Sequence, residues 1–94
     1  MEAKIELKHP QGKKAVTMEA EKYNTLKAAI INCLKMKPEL SHKELKQAVA
    51  TYLEKNKIQF IGSVPWHLEW VKLDMEARKE IKRVIAKAKI MYTL

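Results

Sequence analysis

Glycine is scarce in this chain, with two residues in 94, and proline is scarce too, with three. Those residue types build turns and irregular loops, so a loop-rich fold is excluded and most of the backbone must lie in regular elements. Cysteine occurs once, as Cys33, which removes an internal disulfide framework and most cysteine-based zinc sites. No apolar run approaches the roughly 20 residues of a membrane-spanning helix, because charged residues interrupt every one. The opening Met1-Glu2-Ala3-Lys4 leads into charge where a secretion signal needs an apolar stretch. A cytoplasmic protein of bacterial type, with no membrane contact, is the expectation. A Gly-rich phosphate loop, a His-Glu-x-x-His motif and a Cys-x-x-Cys motif are all missing. His9, His42, His67 and Cys33 fall at no metal-ligand spacing. The expectation is therefore a non-enzyme, with no cofactor, no metal and no evident small-molecule substrate.

What is present points to one modest core. Apolar residues make up 47 % of the chain, too many for a disordered tail, and the length suits a single domain over residues 1–94. The formal net charge is +8. A charge of that size makes nucleic acid a candidate partner, and a lysine-rich surface that only maintains solubility is the alternative.

Residues 1–18 have strand-like alternation at Ile5 and Leu7, turn chemistry at His9-Pro10-Gln11-Gly12, and a returning stretch at Ala15-Val16-Thr17-Met18. A short N-terminal hairpin fits. The three helices are placed within 19–79. The first covers 19–37, with Tyr23, Leu26, Ile30, Cys33 and Leu34 on one stripe, and Pro38 ends it. The second covers 42–55, where Ser41 and Glu44 form a capping box and Leu45, Ala48, Val49, Tyr52 and Leu53 form the buried stripe. Lys57 to Ile61 is a short connection in which Phe60 and Ile61 are available to pack. Ser63 caps the third helix and Pro65 sits in its first turn, and the helix runs to about Arg78 or Lys79. Residues 80–94 turn β-branched at Ile81, Val84, Ile85 and Ile90, which predicts a closing hairpin. Continuation of the third helix through Ala86 and Ala88 is the competing reading, because no Gly or Pro breaks it.

Spaced at about 100° per residue, the third helix is apolar on two sides. Val64, Leu68, Val71 and Met75 share one side, and Trp66, Trp70, Leu73 and Ala77 share the other. Two polar seams separate them, one of Glu69, Lys72 and Glu76, the other of His67, Asp74 and Arg78. Either both stripes are core, or the side of Trp66 and Trp70 is partly exposed and forms a contact surface.

Three helices followed by a hairpin is the order of a winged helix-turn-helix domain, so the fold class expected is α+β, mainly α with a small β content. In many proteins of that superfamily the third helix ends in Leu-Glu-x-Arg-Gly-x-Ile before a basic strand. The segment Met75-Glu76-Ala77-Arg78-Lys79-Glu80-Ile81-Lys82-Arg83 resembles it. The stretch from Trp66 through Val71-Lys72-Leu73-Asp74-Met75-Glu76-Ala77-Arg78 also resembles a family of small, functionally uncharacterised bacterial proteins. The resemblance covers about residues 20–94. It departs at Lys79, where the superfamily usually has the glycine of a left-handed helix end.

The resemblance implies that the third helix faces DNA. Ser63, His67 and Lys72 near its start are then the candidate contacts, together with Lys43 and Lys46 of the second helix. Glu69 and Glu76 flank Lys72 and make that seam net negative. Residues 79–94 hold Lys79, Lys82, Arg83, Lys87 and Lys89 against Glu80 alone, a net of +4. A wing carrying Lys82, Arg83, Lys87 and Lys89 suits the phosphate backbone more than the bases. Lys13 and Lys14 add a further basic cluster. The other reading is a protein-interaction or dimerisation module, with Trp66, Trp70 and Leu73 as the surface for a second copy or another protein. Cys33, on the apolar stripe of the first helix, reads as a buried thiol.

Overall fold

The computed structural model describes residues 4–12 and 16–94. In chain order the elements are β1 (Lys4–Glu6), β2 (Thr17–Glu19), α1 (Ala20–Met36), β3 (Leu40–Ser41), α2 (His42–Lys55), α3 (Val64–Ala77), β4 (Lys82–Ala86) and β5 (Lys89–Thr93). The architecture is α+β, with three helices and two small antiparallel sheets.

β1 and β2 form the N-terminal hairpin, with Ile5 opposite Met18. Lys13, Lys14 and Ala15, read as part of that hairpin and its basic turn, lie outside the described residues. Pro38 forces Lys37 out of the helical region, to φ −135° and ψ 106°, and α1 ends there. The chain then pairs briefly as β3 and enters α2 through Ser41, whose hydroxyl accepts the Glu44 N–H while the Glu44 carboxylate accepts the Ser41 N–H. That capping box holds the Glu44 carboxyl down at about 2. β3 was not expected from the sequence. It pairs with β5, Leu40 opposite Tyr92, giving a three-stranded sheet of order β3-β5-β4.

One core joins these pieces. Leu7 and Met18 of the hairpin region, Leu26, Ile30 and Leu34 of α1, Leu45 and Val49 of α2, Leu68, Val71 and Met75 of α3, and Ile81 and Tyr92 near the second sheet are all buried in it. Phe60 packs against this cluster. Ile61 does not: it is 73 % exposed, against the expectation that it packs.

Asp74 is the most deeply placed charge, with no exposed surface. Its Oδ2 accepts the Tyr23 hydroxyl at 2.5 Å, its Oδ1 accepts the Lys8 backbone N–H at 2.8 Å, and both oxygens accept Arg78 Nε at 3.0 Å. A buried carboxylate persists only when hydrogen-bonded and paired, so α3, α1 and the N-terminal hairpin are held to one point. Burial, and then the hydrogen bond to Asp74, push the Tyr23 phenol pKa up.

The shortage of glycine shows in the turns. Among the described residues, four other than glycine have positive φ: Lys57 (53°), Lys79 (61°), Lys87 (51°) and Ala88 (64°). α3 ends in a complete Schellman motif, with Glu80 N–H on Met75 O at 2.8 Å and Lys79 N–H on Glu76 O at 3.0 Å. Thus α3 stops where the resemblance placed a glycine, and continuation through Ala86 and Ala88 is excluded. α2 ends in the same way, with Ile58 N–H on Leu53 O at 2.8 Å and Lys57 in the left-handed position. Between β4 and β5, Lys87 and Ala88 form a two-residue turn closed by the pair Ala86 and Lys89. Positive φ at both central residues is the pattern that Asn-Gly normally fills. Left-handed backbone costs an L-residue about 1 kcal/mol. Lys79→Gly and Ala88→Gly should therefore each raise stability by up to about 1 kcal/mol, read from the midpoint of urea unfolding. An unchanged or lower midpoint for both would contradict the turn geometry.

Candidate functional site

The site is built around α3, because its rotation decides which of its residues meet solvent. Ser63 caps the helix by accepting the Trp66 N–H at 3.3 Å. Gly62, at φ 116°, makes the turn into it, and a Cβ there would lie 3.0 Å from the His67 ring. Leu68, Val71 and Met75 are buried, with Val64 half-buried against them. The opposite stripe is not core: Trp66 is 47 % exposed, and Trp70, Leu73 and Ala77 are half-buried. Of the two readings of this helix, the partly exposed second stripe is the one the packing shows.

The polar seams need correction. Lys72, expected on the surface as a nucleic-acid contact, is 2 % exposed. Its ammonium lies 2.9 Å from His42 Nδ1, 3.1 Å from the Tyr92 hydroxyl and 3.3 Å from Glu69 Oε2. It also lies 4.4 Å from the centre of the Tyr92 ring. These four side chains fasten α3 to the start of α2 and to β5, so Lys72 serves the packing and is not available to a phosphate. An ammonium only donates, so this contact suits a neutral His42 ring whose Nδ1 accepts; Glu69 Oε2 lies 3.6 Å from the same nitrogen. Asp74 leaves the other seam in the same way, as a buried hub.

His67 shares no hydrogen bond with Glu69 or with Asp74. Its Nδ1 is 2.6 Å from Ser63 O, and its ring stands edge-on to Phe60 at 5.1 Å and to Trp66 at 4.9 Å. No acid–base pair is assembled there. Arg83 of β4 is engaged by Glu76, at 2.9 and 3.3 Å, and that hydrogen bond raises its pKa.

The remaining candidates face solvent. Lys43 and Lys46 are exposed on α2 and line a cleft with Gln47, Ala50, Val64 and Pro65, beside the start of α3. Ser63 is exposed at that start. Lys82, Lys87 and Lys89 are exposed on the β4–β5 hairpin. None of these five lysines has a carboxylate partner among the described residues. A larger cleft lies elsewhere, about 600 Å³ between α1 and α2, and is lined by Cys33, Met36, Leu40, Ala48 and Tyr52 among others. The Cys33 thiol is buried, which raises its pKa. Among the described residues no three His, Cys, Asp or Glu side chains converge on a metal position, and no helix is long and apolar enough to cross a membrane.

Residues 4–91 match a family of unknown function (DUF6958). The chain belongs to this family. No curated protein and no solved structure matches the chain. Family membership therefore brings no assigned activity, and the side chains have to carry the functional argument.

Two features of the site were hidden in the sequence. The Asp74–Arg78 spacing of four residues is legible, since such pairs meet on a helix, but the Tyr23 and Lys8 donors come from distant segments. Lys72 looked like a surface lysine because nothing local predicts the Tyr92 hydroxyl and ring above it.

The Lys72 cluster generates a pH dependence. Burial, and then Lys72, lower the His42 pKa from its ordinary 6.5, with Glu69 opposing. The folded state thus disfavours protonation of His42 relative to the unfolded chain. Its contribution is complete above pH 6.5, the ordinary value, and is lost as pH falls from there through the lower folded-state value. Unfolding midpoints should drop below pH 6.5 in the wild type and drop less in His42→Gln. Parallel pH profiles for the two would contradict the arrangement.

Proposed function

We propose that the protein is a winged-helix-like module that binds the backbone of nucleic acid. The order of elements supports the fold reading: β3 lies between α1 and α2 and pairs with β5, and the β4–β5 hairpin follows α3. The observation that carries the functional reading is the division of the cations. Those that contact α3 are engaged: Lys72 by His42, Tyr92 and Glu69, Arg78 by Asp74, and Arg83 by Glu76. Lys43, Lys46, Lys82, Lys87 and Lys89, on the flanking α2 and hairpin, remain exposed and unpaired among the described residues. Unpaired lysines supply affinity for phosphates without sequence selectivity.

A second reading has its own observation. The exposed apolar strip of Trp66 with half-buried Trp70 and Leu73 suits contact with another protein or a second copy. Trp66 and Trp70 lie 6.4 Å apart between ring centres.

Gel-shift titration across a salt series separates the two. Nucleic-acid binding should weaken steeply with salt, and the combined Lys43→Gln and Lys46→Gln variant should flatten the dependence by about two phosphate contacts. No binding at low salt, or binding indifferent to salt, would refute the backbone reading.

A further inference from the structure

The start of α3 carries an exposed aromatic ring in one lysine-lined cleft, and its first two residues line another. Trp66 is 47 % exposed in the first turn. The cleft it shares with the N-terminal hairpin and α1 is lined by Lys4, Thr17, Glu19, Lys22 and His67 as well as Trp66 itself. In the second cleft, Lys43, Lys46 and Gln47 stand against Val64 and Pro65, with no carboxylate among its walls. Lys22 approaches Glu19 at 3.8 Å, so the first cleft is cationic by one charge and the second by two. Trp66 belongs to a chain of rings along the surface: Phe60 against His67, His67 against Trp66, Trp66 against Trp70, and Trp70 against His9.

This composition is poor for duplex DNA. Reading base edges in the major groove needs Arg, Lys, Asn or Gln on the inserted helix. The outward side of α3 offers Trp66, Trp70, Leu73 and Ala77, bordered by Glu69 and Glu76. An aromatic ring recognises the face of a base, and base faces are free only in single strands. Lysines in both clefts match a chain of phosphates that passes across the ring.

Resting on the nucleic-acid reading above, we infer that the ligand is single-stranded, with a base stacked on Trp66 and its backbone held by Lys43 and Lys46 in one cleft and Lys4 and Lys22 in the other. The wing lysines are then secondary.

The test uses the full chain, a labelled oligothymidylate of about ten nucleotides and a blunt duplex of equal length. Anisotropy gives affinity, and tryptophan emission reports stacking. The single strand should bind more tightly than the duplex and quench the emission. Trp66→Phe, which keeps a ring, should retain most of the affinity, whereas Trp66→Leu should lose about tenfold. Because Trp66 lies outside the core, circular dichroism should be unchanged in both. The paired changes Lys43→Gln with Lys46→Gln, and Lys4→Gln with Lys22→Gln, should each weaken the single strand independently of the ring variants. Duplex binding at equal or greater affinity overturns the inference and leaves the backbone reading standing, and so does a Trp66→Leu variant that binds like wild type. Failure of both probes to bind at low salt overturns both readings. A dimer in solution that Trp66→Leu dissociates, with no oligonucleotide bound, overturns them in favour of contact between copies.

Discussion

The buried carboxylate of Asp74 is the constraint on which the rest depends. Tyr23, Arg78 and the Lys8 amide all donate to it, and they come from α1, the end of α3 and the segment after β1. Removing one partner of a buried charge leaves the others uncompensated and typically costs about 3 kcal/mol or more. Asp74 and Lys72 lie on opposite borders of the stripe of Leu68, Val71 and Met75, by the helical spacing of about 100° per residue. Each is tied to its own partners. Together they pin the rotation of α3, and that rotation turns Trp66 and Leu73 outward.

That rotation also sorts the charge. The surplus of +8 is not one feature. Lys72 ties α3 to His42 and Tyr92, Arg83 ties β4 to Glu76 of α3, and Arg78 is taken up by Asp74 at the end of α3. Lys57, Lys79 and Lys87 occupy left-handed positions, where a chain with only two glycines has few better choices. Each of them carries the left-handed cost of its Cβ, about 1 kcal/mol. Lys43 and Lys46 on α2, and Lys82, Lys87 and Lys89 on the β4–β5 hairpin, stay exposed and without a carboxylate partner among the described residues. The acidic residues of α3 are also occupied, Glu69 with Lys72 and Glu76 with Arg83.

Much of the scaffold was legible in the sequence, and the reason is local. The capping box at Ser41 and Glu44, the stop at Pro38 and the cap at Ser63 are decided by residues within a turn of one another. The left-handed Lys79 was only one of two readings, since the resemblance puts a glycine there while no Gly or Pro in this chain stops the helix. β3 was not, since two residues make no periodicity and the partner strand β5 lies some fifty residues away. The burial of Lys72 was hidden for the same reason: Tyr92 and His42 reach it from separate elements. Ile61 misled because an apolar residue in a short connection can face either way. The two-sided character of α3 was visible as a pattern, but only the packed neighbours decide which stripe is covered.

Lys72 holds the packing around α3, while Lys43 and Lys46 face solvent, where the proposed function needs them. Lysine-specific acylation followed by mass spectrometry, with and without an oligonucleotide, tests this division most directly. The account predicts that Lys72 resists modification in both conditions, while Lys43 and Lys46 react readily alone and are protected in the complex. Rapid modification of Lys72 in the folded protein, or unprotected Lys43 and Lys46 in the presence of saturating oligonucleotide, would contradict it.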